Sequence, residues 1–542
     1  MTSTFFGFNI ARSGLFASQR ALNITGHNIS NVNTAGYTRQ RLNILQSSPM
    51  TLPNGQGMLG TGVDTDSIVQ IRHEFLDFKY RGGNTDLGEW QTKADALQNI
   101  EAIFNEPSDA GIRKVLDEFF SSLHELNKTP ESLTVRALVR QRSIALAKNI
   151  NHMAEQFTKM QSDTDFEVRT TVDQINGYSE QIKKLNRQIY EAELDGSNAN
   201  DLRDQRNLIV DKLSQLTNID YYEDNNNRFH VLINGKPLVS HFRNSSLKYE
   251  ERVDKLNDVD AGKLHDIKWE DGSTFTPKGG KIKGLIDMRD NISGSDKGIP
   301  YYMERLNNFT DVLSETLNSM HKSGYDLDGN LGTNLFTING MSTAEYENYL
   351  LTRGLDNGEA EMVAADNMEE AKEELKNKIS ADPSKYKYKT VKEINGGFYI
   401  VDRIPADKLT IASDLEGEDG LNKIAASATP DGVPGDGDNA LKMSQMRHDV
   451  NMYEWGSPDD YVKSLISNLG VDGQEAIRMR DNQMVLLNQV ETNRQSISGV
   501  SLDEEMSNMI KFQHSFNANS RMITAMDEMI DTIISRMGLV GR

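Results

Sequence analysis

The chain has no cysteine among its 542 residues. That excludes disulfides, thiolate metal sites and cysteine nucleophiles. It leaves the compartment open, because an exported chain can also avoid cysteine. Basic side chains are in deficit: 59 Lys and Arg face 80 Asp and Glu, for a formal net charge of −21. Such a chain repels phosphate backbones, so no nucleic-acid partner is expected. No apolar run reaches the ~18 residues of a membrane span, so no membrane partner is expected. The N-terminal stretch lacks the basic segment and apolar core of a cleaved secretory signal. Export, if it occurs, reads something else.

Recognisable chemistry is also missing. There is no phosphate-binding G-x-x-x-x-G-K-[ST] loop and no G-x-S-x-G nucleophile elbow. His73-Glu74 and His124-Glu125 lack the second histidine of His-Glu-x-x-His. Asp326-Leu-Asp-Gly-Asn330 begins like a calcium loop, but its sixth position is Leu331 and its twelfth Thr337. A calcium loop needs glycine and a bidentate glutamate there, so a turn is the better reading. Glu369, Glu370, Glu373 and Glu374 alternate with lysines at helical spacing, as on a solvated helix face. The expectation is a non-enzyme without cofactor or metal.

What is present is heptad periodicity at both ends. From Leu502, every seventh residue is apolar: Leu502, Met509, Phe516, Ile523, Ile530, Met537. Three positions on from Met509 comes Phe512, followed by Asn519, Met526 and Ile533. That is an a/d seam through about five heptads. A helix over it spans about 54 Å at ~1.5 Å per residue and needs a partner to cover one side. Ser501-Leu-Asp-Glu504 has capping-box spacing at its start; Gly538 follows its end. At the other terminus Phe8, Leu15, Leu22 and Ile29 recur by seven. Ala11, Ser18, Thr25 and Val32 sit three positions after them, small enough for close helix approach. The central expectation is that the two ends pair, with the rest of the chain inserted between them. The competing reading places two amphipathic helices in separate domains.

In chain order, helix over 4–32 ends in the turn formers Asn31-Val-Asn-Thr-Ala-Gly-Tyr37. Asn28, Asn31 and Asn33 can bond nearby backbone, and Gly36 supplies positive φ. Residues 38–70 read as extended chain. Residues 72–216 read as a helical bundle, broken near Pro107 and Pro130 and at Asp195-Gly196. Short β runs with Asn-Gly and Asp-Gly turns fill 218–280. Helix returns at 281–322, 323–440 is mixed, with a helix candidate at 360–379, and helix resumes at 441–455 and 459–494. The fold expected is mainly α with β-rich insertions: paired N- and C-terminal coiled-coil helices, an α-helical bundle and two outer inserted domains. The boundaries expected are 1–50 with 496–542 for the terminal pair, and 51–217 with 281–335 and 441–495 for the bundle. The insertions are 218–280 (small, β-rich) and 336–440 (mixed α/β).

The stretch Asn28-Ile-Ser-Asn-Val-Asn-Thr-Ala-Gly-Tyr37, following a heptad helix, resembles the N-terminal signature of bacterial flagellar rod, hook and hook-associated proteins. Ser498-Gly-Val-Ser-Leu-Asp-Glu-Glu505, Met509-Ile-Lys-Phe-Gln513 and Met526-Asp-Glu-Met-Ile530 resemble their C-terminal signature. Inside, Leu202-Arg203-Asp204-Gln205-Arg206 resembles the hook-associated members at the hook–filament junction. So do Asn318-Ser-Met-His321, with Gly324, Gly329 and Gly332 following, and Gly280-Lys-Ile-Lys-Gly-Leu-Ile-Asp-Met-Arg289. The likeness is weak over 218–280 and 340–440.

The resemblance implies a structural protein of the flagellum, forming the ring between hook and filament and needed for filament assembly. Its implied partners are copies of itself, the hook protein, a second junction protein on the filament side and an export chaperone at the C-terminal helix. It implies an extracellular location reached by type III export without a cleaved signal. Another axial protein such as the hook subunit, or an adhesin carried on the insertions, remains the alternative.

Overall fold

The computed structural model describes residues 6–52, 57–104, 111–294, 296–353, 360–365, 367–382, 386, 389–394 and 396–536. Pro53, the Pro107 break, Met537, Gly538 and Gly541 lie outside the described residues.

The chain is mainly helical with small antiparallel sheets. The long helices are α1 (Phe6–Ser30), α2 (Glu74–Phe104), α3 (Ile112–Lys128), α4 (Leu133–Ala192) and α5 (Asn200–Leu216). After them come α6 (Lys281–Asp290), α7 (Ile299–Ser323), α8 (Thr343–Arg353), α9 (Met368–Ala381), α10 (Asp438–Gln445), α11 (Pro458–Ser498) and α12 (Leu502–Arg536). Local chemistry sets several starts. Ser457 and Asp460 form a reciprocal capping box at α11, with Pro458 in its first turn. Asn367 accepts from the Glu370 amide at the start of α9.

Strand β1 (Gln40–Gln46) pairs antiparallel with β4 (Val63–Gln70), and β2 (Met50–Thr51) with β3 (Met58–Leu59). Strands β5 (Asp220–Glu223), β6 (Phe229–Ile233), β7 (Lys236–Ser240) and β8 (Arg243–Asn244) form one sheet in sequence order. Beside it β9 (Leu247–Glu251) pairs with β10 (His265–Trp269). Further on, β11 (Phe336–Ile338) pairs with β15 (Leu409–Ile411). Strands β12 (Glu361–Val363), β13 (Lys389–Ile394) and β14 (Gly397–Asp402) form a sheet with β14 central.

Three apolar cores result. The largest joins α2, α3, the first half of α4, α7 and α11 to residues of 335–426, including Phe119, Phe157, Phe309 and Phe336. A second packs the middle of α4 and α5 against the β5–β10 region through Val168, Ile175, Val231, Trp269 and Ile282. A small third core holds Val363, Ala371, Leu375, Val391 and Ile400.

Two expectations need correction. The helix expected over 441–455 ends at Gln445, followed by a single 3-10 turn to His448. Asp449 then bonds the Asn451 amide in a turn, and the Tyr453 hydroxyl donates inward to the Phe309 carbonyl at 2.9 Å. The helix candidate over 360–379 begins as strand, because Glu361–Val363 pair with β14; helix starts only behind the Asn367 cap.

Candidate assembly interface

The two terminal helices pack together, antiparallel. Ser18 Oγ donates to Ser515 Oγ at 3.0 Å. A methyl added at Gly14 would lie 2.9 Å from the Asn519 amide, and one at Gly7 would collide with Met526. The close approach uses the small register: Ala11, Ser18 and Thr25 are buried, together with Ala21 and Asn28. Phe8, Leu15, Leu22 and Ile29 are half-buried along its edge. On α12, Met509, Phe512, Phe516, Asn519, Ile523, Met526 and Ile530 are half-buried. Leu502 and Ile533, at the ends of the seam, are 41% and 45% exposed. The Glu504 carboxylate, read from spacing as a capping group, accepts from Arg39 Nη1 at 2.9 Å.

The base of this pair is built around Asn28. Its amide nitrogen donates to the Gln40 carbonyl at 2.9 Å and to Glu505 Oε2 at 3.0 Å. Its amide oxygen accepts from Tyr37 Oη at 2.7 Å and from the Gln40 amide at 3.0 Å. One buried side chain therefore ties α1, the following turn, β1 and α12 together. Arg39 adds a second link through Nε to Glu505 Oε1 at 2.8 Å. Burial, with the charges of Asp201, Asp204 and Glu505, raises the Tyr37 phenol above its ordinary range, so it stays a neutral donor. Asn31 bonds within the turn, accepting from Thr34 Oγ1. Asn33 is exposed. Gly36 has φ +79° with Leu208 beside it, a conformation costly to a side chain.

The Arg203–Arg206 motif on α5 supports this base. Asp204 Oδ2 accepts from the Thr38 amide and Oδ1 from Gln70 Nε2, each at 2.8 Å. Burial lifts its carboxyl to about 6, against the opposing pull of Thr38 and Arg72. Arg203 forks onto Glu193 at 2.7 and 2.8 Å. Arg206 is buried, bonds Asn186 and Glu223, and lies 4.0 Å over the Phe229 ring. Gln205 is exposed. The second interior motif sits elsewhere, inside the large core. His321 is fully buried there: Nδ1 lies 2.5 Å from the Thr333 carbonyl, and Nε2 accepts from the Ala425 amide at 2.9 Å. Gly324 has the Asn439 amide pressed against it, and Gly329 turns at φ +78°. The neighbouring Asp326 carboxylate is used within that turn by the amides of Asp328 and Asn330.

Sequence reasoning missed the ionic joint that ties α11 to α2 and α5. Arg494 on α11 stacks 4.1 Å over Tyr80 and reaches Asp211 at 2.7 Å and Asp77 at 3.5 Å. Arg81 holds the other Asp211 oxygen at 2.6 Å. Burial works against the Asp211 charge, but Arg81 and Arg494 outweigh it and keep the carboxyl below its ordinary value. Isolated charges on amphipathic helices give no signal of such pairing; only the fold brings residues 77, 211 and 494 together.

Beyond the seam, the terminal pair exposes apolar side chains: Phe16, Met506, Ile510, Met522, Met529 and Ile534. Among the described residues no group of three or more His, Asp or Glu is placed to hold a metal. No described helix is long and apolar enough to cross a membrane. The geometry is that of a packing surface.

Comparison with known proteins agrees. Residues 97–336 match the family model of the flagellar hook-associated protein FlgK helical domain. Residues 8–38 match the flagella basal body rod protein model, and 492–536 the flagellar basal body rod FlgEFG protein C-terminal model. The chain is 32% identical to flagellar hook-associated protein 1 of Bacillus subtilis, with 100% of both chains covered. It is 24% identical to the protein of that name from Escherichia coli, over 97% of this chain and 99% of that one. The solved flagellar hook junction protein FlgK from Burkholderia pseudomallei shares the fold, with a TM-score of 0.57 at 16% identity. That match covers 78% of this chain and 100% of that one. The chain belongs to the flagellar hook-associated protein 1 family.

Proposed function

We propose that this protein is a structural component of the bacterial flagellum, forming the junction ring between hook and filament and required for filament assembly. The observation that carries the reading is that α1 and α12 pair with each other without closing an apolar core of their own. Of the described residues of α12 only Glu505 is buried, and the pair exposes Phe16, Met506, Ile510, Met522, Met529 and Ile534. Covering each such side chain is worth roughly 1.5–3 kcal/mol, and only neighbouring subunits supply the cover. Folding of the ends and assembly are then coupled.

On this reading residues 1–50 and 496–542 form a coiled-coil axial core. Residues 51–217, 281–335 and 441–495 form the bundle outside it, and 218–280 and 336–440 are the outer parts. The seam residues of α1 and α12 are the assembly residues. Asn28, Tyr37 and the Arg203–Arg206 stretch fix the angle at which the axial pair leaves the bundle. The partners are copies of this chain, the hook protein, a second junction protein on the filament side and an export chaperone on the C-terminal helix. The site of action is extracellular, reached by type III export, and no catalysis is involved. Deleting the gene and viewing the cells by electron microscopy tests the reading. Bare hooks with flagellin free in the medium are expected; filaments on the deletion strain contradict it.

A further inference from the structure

With cysteine absent, methionine is the only sulfur chemistry this chain has. Helix α12 carries five methionines: Met506, Met509, Met522, Met526 and Met529. Met506, Met522 and Met529 are 54%, 47% and 56% exposed. The methionines of the large core are closed off: Met153, Met288, Met303, Met443 and Met446 are at most 8% exposed. An oxidant in solution therefore reaches the thioethers of α12 ahead of those in the core. Met58 and Met362 are exposed as well, on strands outside the terminal pair.

Two of the α12 thioethers belong to the contact with α1. Ser515 meets Ser18, Asn519 faces Gly14 and Met526 faces Gly7. These antiparallel rungs put Met522 level with Ala11, which is fully buried. The rungs at 515 and 519 are polar, whereas those at 522 and 526 set a thioether against a methyl or a bare backbone. A methyl at Gly7 would lie 3.4 Å from the Met526 sulfur. Neither Gly7 nor Ala11 has a side-chain donor with which to satisfy an oxygen placed there.

We propose that Met522 and Met526 form an oxidation site whose conversion to sulfoxide parts α1 from α12 and blocks incorporation of the subunit. The oxidant is a hydroperoxide. The thioether sulfur attacks one peroxide oxygen, the S–O bond forms as the O–O bond breaks, and hydrogen peroxide leaves as water. Sulfur is oxidised by two electrons and the peroxide is reduced by two, with no net proton taken up. The product is a polar, rigid group where the contact needs a flexible apolar one, and sulfoxide reductases can reverse it. Oxidation at Met58 or Met362 has no such consequence, because neither touches the seam. The inference rests on the junction reading above and adds a chemical control on it.

The test expresses the full chain from an inducible copy in the deletion strain, with sublethal hydrogen peroxide added at induction. Peptide mass mapping of the recovered protein should find an added oxygen at Met522 and Met526 and none at Met153 or Met443. Filamented cells should fall several-fold. Met522→Leu/Met526→Leu keeps the apolar volume without the sulfur and should keep its filaments under peroxide. Met58→Leu/Met362→Leu should be as sensitive as wild type. Met526→Gln, which sets an amide oxygen near the sulfoxide position, should lose filaments without any peroxide. If the Leu pair fails to assemble even without peroxide, a dose series on wild type decides: filament loss should track sulfoxide at Met522 and Met526. Equal peroxide sensitivity of wild type and an assembling Leu pair, full filaments on cells whose junction protein is oxidised at both positions, or normal filaments with Met526→Gln overturn the proposal. Filaments on the deletion strain before induction overturn the junction reading instead, so the two failures are distinguishable.

Discussion

The Asn28 amide and the Glu505 carboxylate, 477 positions apart in sequence, meet at 3.0 Å in a buried site where the ends of the chain come together. Three further groups converge on Asn28: the Gln40 carbonyl, the Gln40 amide and the Tyr37 hydroxyl. Asn28→Ala would strand all of them. At roughly 1–3 kcal/mol for each buried group left unpaired, partly relieved by water, a loss of about 3 kcal/mol is expected. Hydrogen exchange checks it: amides of α1 and α12 should lose protection while those of α3 and α7 keep it.

The ionic joint gives a second test. Removing the Arg494 head group leaves Asp77 with Arg72 and Asp211 with Arg81, so neither acid is abandoned. Arg494→Gln should therefore cost less than the ~3–5 kcal/mol of an uncompensated buried pair, about 2 kcal/mol. The urea midpoint of the purified chain measures it. Arg81→Gln should cost more, because Arg81 is the more deeply buried of the two.

Two glycines of α2 should respond oppositely to the same change. A methyl at Gly82 meets nothing within 4 Å, so Gly82→Ala should stabilise the helix by about 0.5–1 kcal/mol. A methyl at Gly88 would run into the Gln215 carbonyl at the α2–α5 contact. Gly88→Ala should destabilise by about 1–3 kcal/mol. Thermal unfolding of both variants decides the comparison.

Stability should also fall with acid through His321. Burial lowers its imidazole from an ordinary 6.5 to about 4, and both ring nitrogens are already bonded in the neutral form. A protonated ring would lose the Ala425 bond. A depressed folded-state value means the stabilisation is whole above about pH 6.5 and drains away as pH falls toward 4. The full loss is about 3 kcal/mol. Denaturant midpoints of wild type and His321→Gln across that window check this: the variant should start weaker at neutral pH and show a shallower slope.

The heptads at both ends are readable because a seam needs only periodicity, and periodicity survives without knowledge of the fold. The small register Ala11, Ser18, Thr25 likewise announces close packing. The segment after α1 is different. As local chemistry Asn28 to Tyr37 is a helix stop and turn, and nothing local indicates that Asn28 bonds Glu505 or that Asp204 accepts from Thr38. Those partners are distant in sequence, and hydrogen-bonding side chains carry no pairing code. The ends of the seam show the same limit. Leu502 and Ile533 keep the heptad but stay exposed, since burial depends on where the partner helix runs. Strand β12 escaped notice because three residues between polar segments give too short an alternation to read.

If the paired terminal helices are the assembly element, Ile523→Asp/Ile530→Asp should block assembly and spare the rest of the fold. Both side chains lie on the α1–α12 seam, away from the cores that hold the rest of the chain. Filament counts on cells and limited proteolysis of the exported protein are the paired readouts. Bare hooks together with a protease-resistant central fragment are expected. Normal filaments on cells carrying the double variant would contradict it.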